Sequence, residues 1–393
     1  MEPALAGIRV VEQGTFITGP CAGMMLADLG ADVIKVESPE GDPYRAYQGG
    51  QYSAHFQAYN RNKRSIALDM KQPADCEVFR TLVGEADVYI QNFRPGTARR
   101  LGAGVGQLQE LNPRLVYCSI SGFGASGPYA ERPSYDSVAQ ALSGFLSVVV
   151  DYRRPQFLGP ALADAITGLY AAQGVLAALV RRGRTGRGGH VEVSMLEAMA
   201  HFAVEPYAGF FGLGQVPTSA DRPRLAQAYI LHTADQRLIA IHLSSLEKFW
   251  QGLVAALAAP ELAADPRFNP RERRIAEYET LRQELDARFS RAPLAHWMER
   301  LQAQDVPYAP VNTIDEAAAD PQVRHLGLIV PVQDPHGPQG ADSAVRPAVR
   351  FDEARAPSVT AAPLVDEHGS AIRAALAGSR QWPASPAMPL ERG

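Results

Sequence analysis

Cysteine is scarce in this chain, with only three among 393 residues. Cys21, Cys76 and Cys118 are far apart, and none of them belongs to a C-x-x-C pair. An odd number of isolated cysteines argues against a disulfide framework and against a cysteine-based zinc site. We therefore expect no metal site, and we expect the protein to work in a reducing compartment, the cytoplasm.

An excess of charge of one sign is also lacking, because 38 basic residues nearly balance 42 acidic ones and give a formal net charge of −4. No basic tract of the kind that binds nucleic acid is present, so a polyanion is not expected as the main partner. The first residues lack the pattern of a secretory signal, and no apolar run reaches membrane-spanning length without interruption. We expect a soluble protein that neither spans a membrane nor binds nucleic acid.

A dinucleotide fingerprint is missing as well, although the chain begins like a dinucleotide-binding fold. Ile8 to Glu12 and Asp32 to Glu37 are strand candidates, and a glycine-bearing turn and the helix candidate Cys21 to Leu29 lie between them. This order predicts a parallel βαβ unit, whose ligands bind beyond the carboxyl ends of the strands. The turn carries no G-x-G-x-x-G, so an NAD or FAD site is not expected.

Strands and helices alternate over about the first 210 residues, which predicts an α/β fold with a mostly parallel sheet. Residues 38–62 have no clear period and are interpreted as a covering loop, whereas Met195 to Phe211 is predicted as one helix. The run Asn92 to Gly96 follows the strand candidate Asp87 to Gln91 directly, a position that suits ligand contact. Glycine, proline, serine and arginine between Gly212 and Arg224 indicate a linker, and a smaller α+β region follows it.

The segment from Leu158 to Arg182 places one acid, Asp164, at the start of a long and almost uncharged helix. A carboxylate near a helix N-terminus commonly caps the helix, because it accepts hydrogen bonds from free backbone N–H groups. A carboxylate that faces a cleft can instead act as a nucleophile and form a covalent acyl intermediate. The residues of this segment alone leave both roles of Asp164 open.

Six runs of residues, in the same order along the chain, resemble the class III CoA-transferases. That family includes formyl-CoA:oxalate and L-carnitine CoA-transferases, and the α-methylacyl-CoA racemases share its fold. The resemblance covers nearly the whole chain, and six ordered matches are not expected by chance. The runs are GIRVVEQ with GPCAGMMLADLGADVIKVE, NRNKRSIALDM, QNFRPG, SGFGASGPYAERPSYDSVAQALSG, LADAITGLYAAQGVLAALVRRGRTGRGGHVEVSM and LVDEHGSAIRAAL.

The resemblance implies a large Rossmann-like domain, whose sheet is built from both chain ends, and a small domain between them. On this sequence, the first part of the large domain is assigned to residues 1–212 and the small α+β domain to residues 225–325. Residues 326–393 are assigned to the return to the large domain and the C-terminal tail. The resemblance also implies a homodimer of two interlocked subunits.

The resemblance further implies that Asp164 is the catalytic carboxylate. In this chemistry the carboxylate attacks an acyl-CoA thioester, and the released CoA thiolate attacks the aspartyl carbonyl to leave an enzyme–CoA thioester and a free acid. An acceptor carboxylate then reverses the steps. The expected substrates are an acyl-CoA ester and a carboxylic acid, without a permanently bound cofactor. Backbone N–H groups of the glycines in the run Ser121 to Gly127, or of the small domain, are candidates for stabilising the oxyanions.

By position, the resemblance assigns contacts with coenzyme A to residues that follow the strand candidates. Arginine and lysine can neutralise its phosphates and apolar side chains can cover its adenine, although Lys71 and Arg100 fit a solvated surface equally well. Tyr135 matches a position beside the nucleophile, and Asp136 either caps the following helix or binds a ligand. The residues assigned to coenzyme A are Leu68, Lys71, Asn92, Phe93, Arg94, Arg100 and Leu101.

Departures from the family pattern bear on the substrate. Ile17 and Ser38 stand where formyl-CoA transferases carry glutamine and arginine, so the contacts of these two residues with CoA or the acyl group are in doubt. Both residues, and Thr18 beside Ile17, are kept as binding candidates. The long glycine-rich oxalate loop of those enzymes is missing, which argues against oxalate and formate. We expect a small dicarboxylic or branched acid acceptor, of the itaconate, mesaconate or citramalate type, with succinyl-CoA as donor.

Two other functions stay open on the sequence. Racemases carry a His-Asp pair where this chain has Tyr135 and Asp136, and they need two acid/base groups to move an α-proton. A phenol is a poor base at neutral pH, and His55 is the first alternative base to consider. A CoA-binding subunit without turnover is the third hypothesis, which the presence of Asp164, Lys71 and the NFRPG run opposes.

Overall fold

The computed structural model of the protein describes residues 2–157, 159–244, 247–333, 336, 340–352, 354–355, 358–379, 381–383 and 391–392. Leu158, at which the Asp164 segment begins, lies outside the described residues. The chain forms two compact units, one of Met1–Leu146, Phe157–Val204 and Gln322–Gly393 and one of Ser147–Gln156 and Glu205–Pro321. The domain bounds assigned from the sequence, 1–212, 225–325 and 326–393, remain a prediction.

Six parallel strands organise the first unit. They are β1 (Arg9–Gln13), β2 (Asp32–Glu37), β3 (Lys63–Ala67), β4 (Val88–Gln91), β5 (Val116–Ser121) and β6 (Gly189–Ser194). Their order across the sheet is β3-β2-β1-β4-β5-β6, and every neighbouring pair is parallel, so the predicted α/β fold with a parallel sheet is confirmed. The strand order reverses between β1 and β4, which is where open α/β sheets bind ligands at the carboxyl ends of their strands.

Helices cover both faces of this sheet. They are α1 (Thr18–Asp28), α2 (Ala54–Asn60), α3 (Pro73–Glu85), α4 (Thr97–Arg100), α5 (Val105–Leu111), α6 (Asp136–Leu142), α7 (Leu162–Thr185) and α8 (Met195–Phe202). One face packs against α1 and α7 through residues such as Leu26 and Val175, and the other against α3 and α5 through Phe79 and Leu108. The interior strands β4 and β5 are mostly apolar on both faces, as expected where helices cover both sides of a sheet.

Two glycines let α7 approach its neighbours closely. A Cβ at Gly168 would lie 2.7 Å from the Cβ of Cys21 in α1, and a Cβ at Gly174 would lie 2.6 Å from Cγ1 of Val191 in β6. The helix ends at Gly186, whose φ of +71° suits glycine. Among the described residues, α7 is also the one helix that by length and composition could cross a membrane. A core helix of a soluble protein meets the same criteria, so this is weak evidence.

The second unit contains a smaller antiparallel sheet of β7 (Ala228–His232), β8 (Leu238–His242) and β9 (Tyr308–Pro310), in that order. Its core includes Trp250, Phe289 and Trp297. The helices from residue 204 onward are α9 (Val204–Leu213), α10 (Asp221–Ala226), α11 (Lys248–Leu257), α12 (Pro260–Ala264), α13 (Arg271–Ala276), α14 (Tyr278–Phe289), α15 (Leu294–Ala303) and α16 (Ile314–Ala319). A smaller α+β region after the first 210 or so residues is thus present, as the composition and periodicity indicated.

The last part of the chain returns to the first unit. Its elements are α17 (Pro321–Leu326), β10 (Ile329–Gln333), β11 (Ser343–Val345), β12 (Ala354–Arg355), β13 (Val359–Thr360), α18 (Gly369–Ser379) and β14 (Glu391–Arg392). Strands β10, β11 and β13 form a sheet of their own, and β12 pairs with β14. The expectation that both chain ends build the six-stranded sheet is therefore wrong for the described residues. The C-terminal segment instead packs Ile372 and Leu376 of α18 onto the core beside α3.

The segment 38–62, expected to be a loop, is partly helical. Pro43–Ala46 forms a 3-10 helix and α2 follows it. The side chains of Asp42 and Ser53 start these two helices, because each accepts a hydrogen bond from a backbone N–H two or three residues further on. Phe56 is fully buried and anchors the segment. The expectation failed because short capped helices leave no long periodic pattern.

The helix expected from Met195 to Phe211 is divided at Ala203 into α8 and α9. In a continuous helix the ring of Pro206 would clash with the carbonyl group of Phe202, whereas a proline fits the first turn of a new helix. The predicted linker of residues 212–224 likewise contains the first residues of α10.

Charged side chains are buried together on the β1-β2-β3 side of the sheet. The carboxylate of Glu12 lies 3.2 Å from the Lys35 ammonium and 2.7 Å from the Lys63 ammonium, and all three side chains are fully buried. Lys35 also lies 3.0 Å from the Asp42 carboxylate. Burial by itself would raise the pKa of Glu12, but the two lysines hold it below its usual value.

A second buried pair completes the cluster. Arg45 donates to both oxygens of Glu37, at 2.8 Å and 2.6 Å, and its guanidinium carbon lies 3.7 Å from the centre of the Phe56 ring. Arg45 also donates to the carbonyl of Pro363, which connects the C-terminal segment to this cluster. We call the cluster of Glu12, Lys35, Glu37, Asp42, Arg45 and Lys63 the buried charge network; its three positive and three negative charges balance.

Replacement of Glu12 by alanine is expected to destabilise the protein by about 3–5 kcal/mol, because it leaves two buried ammonium groups without their shared carboxylate. The free energy of unfolding, measured by urea denaturation at neutral pH, tests this. Glu85→Ala is the matched control: it breaks a half-exposed pair with Arg9 at 3.2 Å and should cost at most about 1 kcal/mol. Similar losses in the two variants would contradict the role assigned to Glu12.

Candidate active site

The loops that follow β1 and β4 are fastened together at the reversal of the strand order. Asn92 comes directly after β4 and accepts a hydrogen bond from Thr15 N at 2.9 Å. Its amide also donates to Thr15 O and to Thr18 Oγ1, each at 2.8 Å. Asn92, predicted to contact coenzyme A, thus has both ends of its amide engaged by the loop after β1.

Phe16, in the same loop, has a left-handed backbone with φ +59°, which is rare for a bulky residue. Its N–H donates to Asp42 Oδ1 at 3.1 Å. Its ring centre lies 5.8 Å from that of Tyr44 and 6.0 Å from that of Tyr135. A backbone in this region persists only where its surroundings fix it, and such residues are concentrated at functional sites.

Asp164 lies half buried in the first turn of α7. The N-cap residue is Ala161, which packs against the cluster of Ile17, Cys21 and Tyr44 and so holds the start of α7 beside the loop after β1. No described residue donates a hydrogen bond to the Asp164 carboxylate, and the helix has no side-chain cap at its N-cap position. The capping role considered for Asp164 is therefore not what the structure shows.

Asp136 supplies the hydrogen bonds that the start of α7 needs. Its Oδ1 accepts from Ala163 N at 2.7 Å and from Asp164 N at 3.4 Å, and its Oδ2 accepts from the Gln140 amide at 2.7 Å. The sequence left open whether Asp136 caps the helix that follows it or binds a ligand; in the structure its carboxylate accepts hydrogen bonds from the start of a helix further along the chain. No local pattern could reveal this role, because it depends on a tertiary contact.

The surroundings of Asp164 change its acidity. Burial raises the pKa of Asp164 to about 7, and the negative charge of Asp136 adds to the effect. Burial also raises the pKa of Tyr44 to about 12 and raises that of Tyr59, and the charge of Asp164 contributes to both shifts. Asp164 is therefore close to half ionised at neutral pH, with both phenols in its electrostatic range.

A row of aromatic rings includes Tyr44, which lies within the electrostatic range of Asp164. Besides the two contacts of Phe16, the ring of Tyr44 lies 5.2 Å from that of Tyr47 and 5.6 Å from that of His55. The rings of Tyr47 and His55 are 5.1 Å apart. We call Phe16, Tyr44, Tyr47, His55 and Tyr135 the aromatic wall. Sequence reasoning found Tyr135 and His55 but missed the other three rings, because ring contacts between separate segments of the chain leave no local pattern.

The predicted phosphate ligands lie on the surface of the first unit. Lys71 follows β3 and Arg94 follows β4, and both are exposed. Arg100, also exposed, ends α4 and donates to Thr97 Oγ1 at 2.8 Å. Lys71 thus follows a strand at the edge of the sheet, whereas Arg94 and Arg100 both follow β4, and none of the three cations is buried in an ion pair.

The apolar residues predicted to touch coenzyme A differ in exposure. Leu68 is fully buried, and its N–H donates to Glu37 O at 2.8 Å, so its side chain offers no surface to an adenine in this structure. Phe93 and Leu101 are half buried. Phe93 packs on the sheet core, and its N–H donates to Gln91 Oε1 at 2.7 Å.

The remaining binding candidates, Ile17, Thr18 and Ser38, also differ in exposure. Ile17 and Thr18 are buried in the loop after β1, whereas Ser38 is exposed at the end of β2. Thr18 uses its hydroxyl for Asn92, and Ser38 donates to Gly41 O at 3.5 Å. The loop after β1 is thus built into the protein and presents little side-chain surface.

The glycine-rich run after β5 is less open than its composition suggests. The N–H of Gly124 donates to Ser121 Oγ at 3.0 Å, and that of Ala125 donates to Glu192 Oε1 at 3.2 Å. These two groups are therefore occupied and do not serve as oxyanion donors in this state. Within the described residues, no group of three or more His, Cys, Asp and Glu side chains could hold a metal ion.

Comparison with known proteins points to one family. The profile of CoA-transferase family III matches residues 5–369. The chain is 36% identical to the succinate–glutarate CoA-transferase of Agrobacterium fabrum over 89% of this chain and 88% of that protein. It is 33% identical to the succinyl-CoA:mesaconate CoA-transferase of Haloarcula hispanica, over 93% and 94%. A CAIB/BAIF family protein from Brucella suis has a similar structure, with a TM-score of 0.84, 36% identity and coverage of 96% of this chain and 100% of that one.

Asp164→Asn is expected to raise the melting temperature, by an amount that depends on pH. The pKa of Asp164 is raised in the folded protein to about 7, so the folded state binds more protons than the unfolded state between about pH 4 and 7. Over that window the wild type loses stability as the pH rises, while asparagine carries no charge. The gain in melting temperature of the variant should therefore be smallest near pH 4, grow up to about pH 7 and then level off.

Thermal unfolding scans of wild type and variant between pH 4 and 8 measure this difference. Asp342→Asn is the control, because Asp342 is an exposed aspartate of the same unit. A gain for Asp164→Asn that does not change with pH would show that the acid is not held in the environment described here.

Proposed function

The chain belongs to CoA-transferase family III and is a CoA-transferase, and we propose that it uses Asp164 as a covalent nucleophile to pass coenzyme A to a short dicarboxylic acid. The observation that carries this proposal is the state of the Asp164 carboxylate. It has no hydrogen-bond partner among the described residues, its pKa is raised to about 7, and Tyr44 of the aromatic wall lies within its electrostatic range. A carboxylate held in this way is both ionised in part and poorly solvated, which makes it reactive.

The proposed reaction is a series of acyl substitutions, and none of its steps is an oxidation or a reduction. The Asp164 carboxylate attacks the thioester carbonyl of the donor, which forms a mixed anhydride and releases CoA thiolate. The thiolate then attacks the aspartyl carbonyl, which releases the donor acid and forms an aspartyl-CoA thioester. The acceptor carboxylate attacks this thioester, which forms an anhydride with Asp164 and releases CoA thiolate. The thiolate then attacks the acceptor's carbonyl in this anhydride, which forms the new CoA ester and frees the Asp164 carboxylate.

A short dicarboxylic acid as acceptor is supported by two observations. The relatives from Agrobacterium fabrum and Haloarcula hispanica are named for glutarate and for mesaconate, with succinate or succinyl-CoA as the other partner. The aromatic wall offers flat apolar faces that suit a short carbon chain. We propose succinyl-CoA as donor and an acid of the glutarate, mesaconate, itaconate or citramalate type as acceptor.

Asp164→Ala is expected to abolish transfer from an acyl-CoA to a free acid, because it removes the attacking atom, while the protein stays folded. Exchange of an isotope label between a free acid and its CoA ester measures the activity, and a melting curve measures the fold. Measurable exchange by the folded variant would exclude Asp164 as the nucleophile.

Chemical trapping identifies the intermediate independently of turnover. Wild type incubated with an acyl-CoA and then with hydroxylamine should carry a hydroxamate on the peptide that contains Asp164, detectable by mass spectrometry. Asp164→Asn should carry none. A hydroxamate on a different acid would relocate the nucleophile.

Lys71→Ala and Arg100→Ala are each expected to raise the KM for the CoA ester and to leave kcat nearly unchanged, because their proposed contacts are with phosphates far from the reacting carbonyl. The rise should shrink as ionic strength increases, because salt screens the charge pairs. Arg80→Ala removes an equally exposed cation from α3 and serves as the control for net charge. An unchanged KM in both variants would refute the phosphate contacts.

We also propose that the protein is a homodimer that works in the cytoplasm. Leu169 and Val180 are exposed and eleven positions apart, so they lie on one face of α7, and Phe202 of α8 is half exposed. Such an exposed apolar face favours burial against a second copy of the chain. The proposal of a cytoplasmic location rests on the three free cysteines, which fit a reducing compartment. Light scattering should give twice the chain mass of 42.4 kDa for wild type and a lower mass for Leu169→Glu with Val180→Glu. A monomeric wild type would refute the dimer.

A further inference from the structure

His55 occupies the end of the aromatic wall that is furthest along the row from Tyr135. Ring contacts run from Tyr135 to Phe16 at 6.0 Å, from Phe16 to Tyr44 at 5.8 Å, and from Tyr44 to His55 at 5.6 Å. The edge of the Tyr47 ring supports the imidazole from a second side, at 5.1 Å and an interplanar angle of 88°. Since Tyr44 lies in the electrostatic range of Asp164, one ring separates His55 from the neighbourhood of the nucleophile.

The position of His55 is fixed by the backbone and not by its own ring nitrogens. His55 is the second residue of α2, whose N-cap Ser53 accepts a hydrogen bond from Phe56 N and donates to Tyr44 O at 2.7 Å. The Ser53 N–H also donates to Arg45 O at 3.0 Å. These bonds tie the start of α2 to the 3-10 helix that carries Tyr44, so the two rings are held side by side.

The imidazole of His55 has no hydrogen-bond partner among the described residues, although it is half buried. The cations nearest to it in the chain are fully used. Arg45 binds Glu37 and the Pro363 carbonyl, and Arg61 binds the Asp28 carboxylate and Val345 O. Lys63 binds Glu12, Pro20 O and Asn60 Oδ1. In the segment from residue 43 to residue 63, His55 is therefore the ionisable nitrogen base that is left for a ligand.

We propose that His55 binds the second carboxylate of a short dicarboxylic acid, the one that does not react. This inference rests on the proposed function, because it assigns to that site a residue that selects dicarboxylic over monocarboxylic acids. The reacting carboxylate meets Asp164, the carbon chain lies along the faces of Tyr44 and Phe16, and an imidazole N–H donates to the distal carboxylate. A carboxylate is costly to bury without a donor, and the imidazole N–H supplies one. Hydrogen bonds to a charged acceptor are stronger than those to a neutral one, so the site favours an acid with a second carboxylate over one whose distal end is uncharged.

The test compares two acceptors in two variants. Glutarate and its monoamide have the same length, but the monoamide lacks the distal charge. With succinyl-CoA as donor, wild type should prefer glutarate. His55→Phe keeps a ring for Tyr44 and Tyr47 to pack on, and it should lose about ten- to hundred-fold in kcat/KM for glutarate and at most about two-fold for the monoamide. The loss should appear mainly in the KM for the acceptor.

His296→Phe is the matched control, because His296 is an exposed histidine outside the first unit whose ring lies edge-on to that of Trp297. It should leave both rates unchanged. An undiminished preference for glutarate in His55→Phe would overturn the inference, as would equal losses for both acceptors, which indicate only a packing role. The monoamide rate and the hydroxamate on Asp164 test the proposed function separately, since neither of them requires a contact with His55.

Discussion

The position of Glu12 between two buried lysines is the constraint on which the candidate active site depends. Burying an ion pair costs as much solvation energy as the pair regains, so such a network is a poor source of net stability. Its value lies in what the lysines do with their remaining N–H groups. Lys35 donates to Gly14 O at 2.8 Å, and Lys63 donates to Pro20 O at 2.8 Å. The two ends of the loop after β1 are thereby fixed from β2 and β3.

The middle of that loop is fixed from two further directions. Asp42, a member of the buried charge network, holds the N–H of Phe16, and Asn92 holds both backbone groups of Thr15. These hydrogen bonds to the backbone hold Phe16 in its left-handed conformation. Without them, a bulky residue would adopt a more favourable backbone conformation. The ring of Phe16 then joins Tyr44 to Tyr135, so the aromatic wall is continuous because the buried charge network is intact.

What the sequence could predict depends on the range of the interactions involved. The interior strands of the parallel sheet were predictable, since β4 and β5 are short, mostly apolar runs whose pattern is local. The place of Asp164 in the first turn of a long helix was predictable too, because the apolar run that follows it is local. The capping role of Asp136 was not, because its partner Ala163 lies 27 positions away and no spacing rule links them. The ring contacts of Tyr44 and Tyr47 were missed for the same reason, since their helices are short and their partners are brought together only by the folded chain.

The pairing of Asp136 with the start of α7 also helps to explain why the pKa of Asp164 is raised. A carboxylate in the first turn of a helix is normally stabilised as an anion by the free N–H groups and the helix dipole, which lowers its pKa. In this protein the carboxylate of Asp136 takes the N–H groups of Ala163 and Asp164 for itself and adds a second negative charge. The effect of the helix on Asp164 is offset, burial dominates, and its pKa rises to about 7. One acid thus satisfies the helix, and the other is left unpaired and less acidic, which fits the nucleophile that we propose.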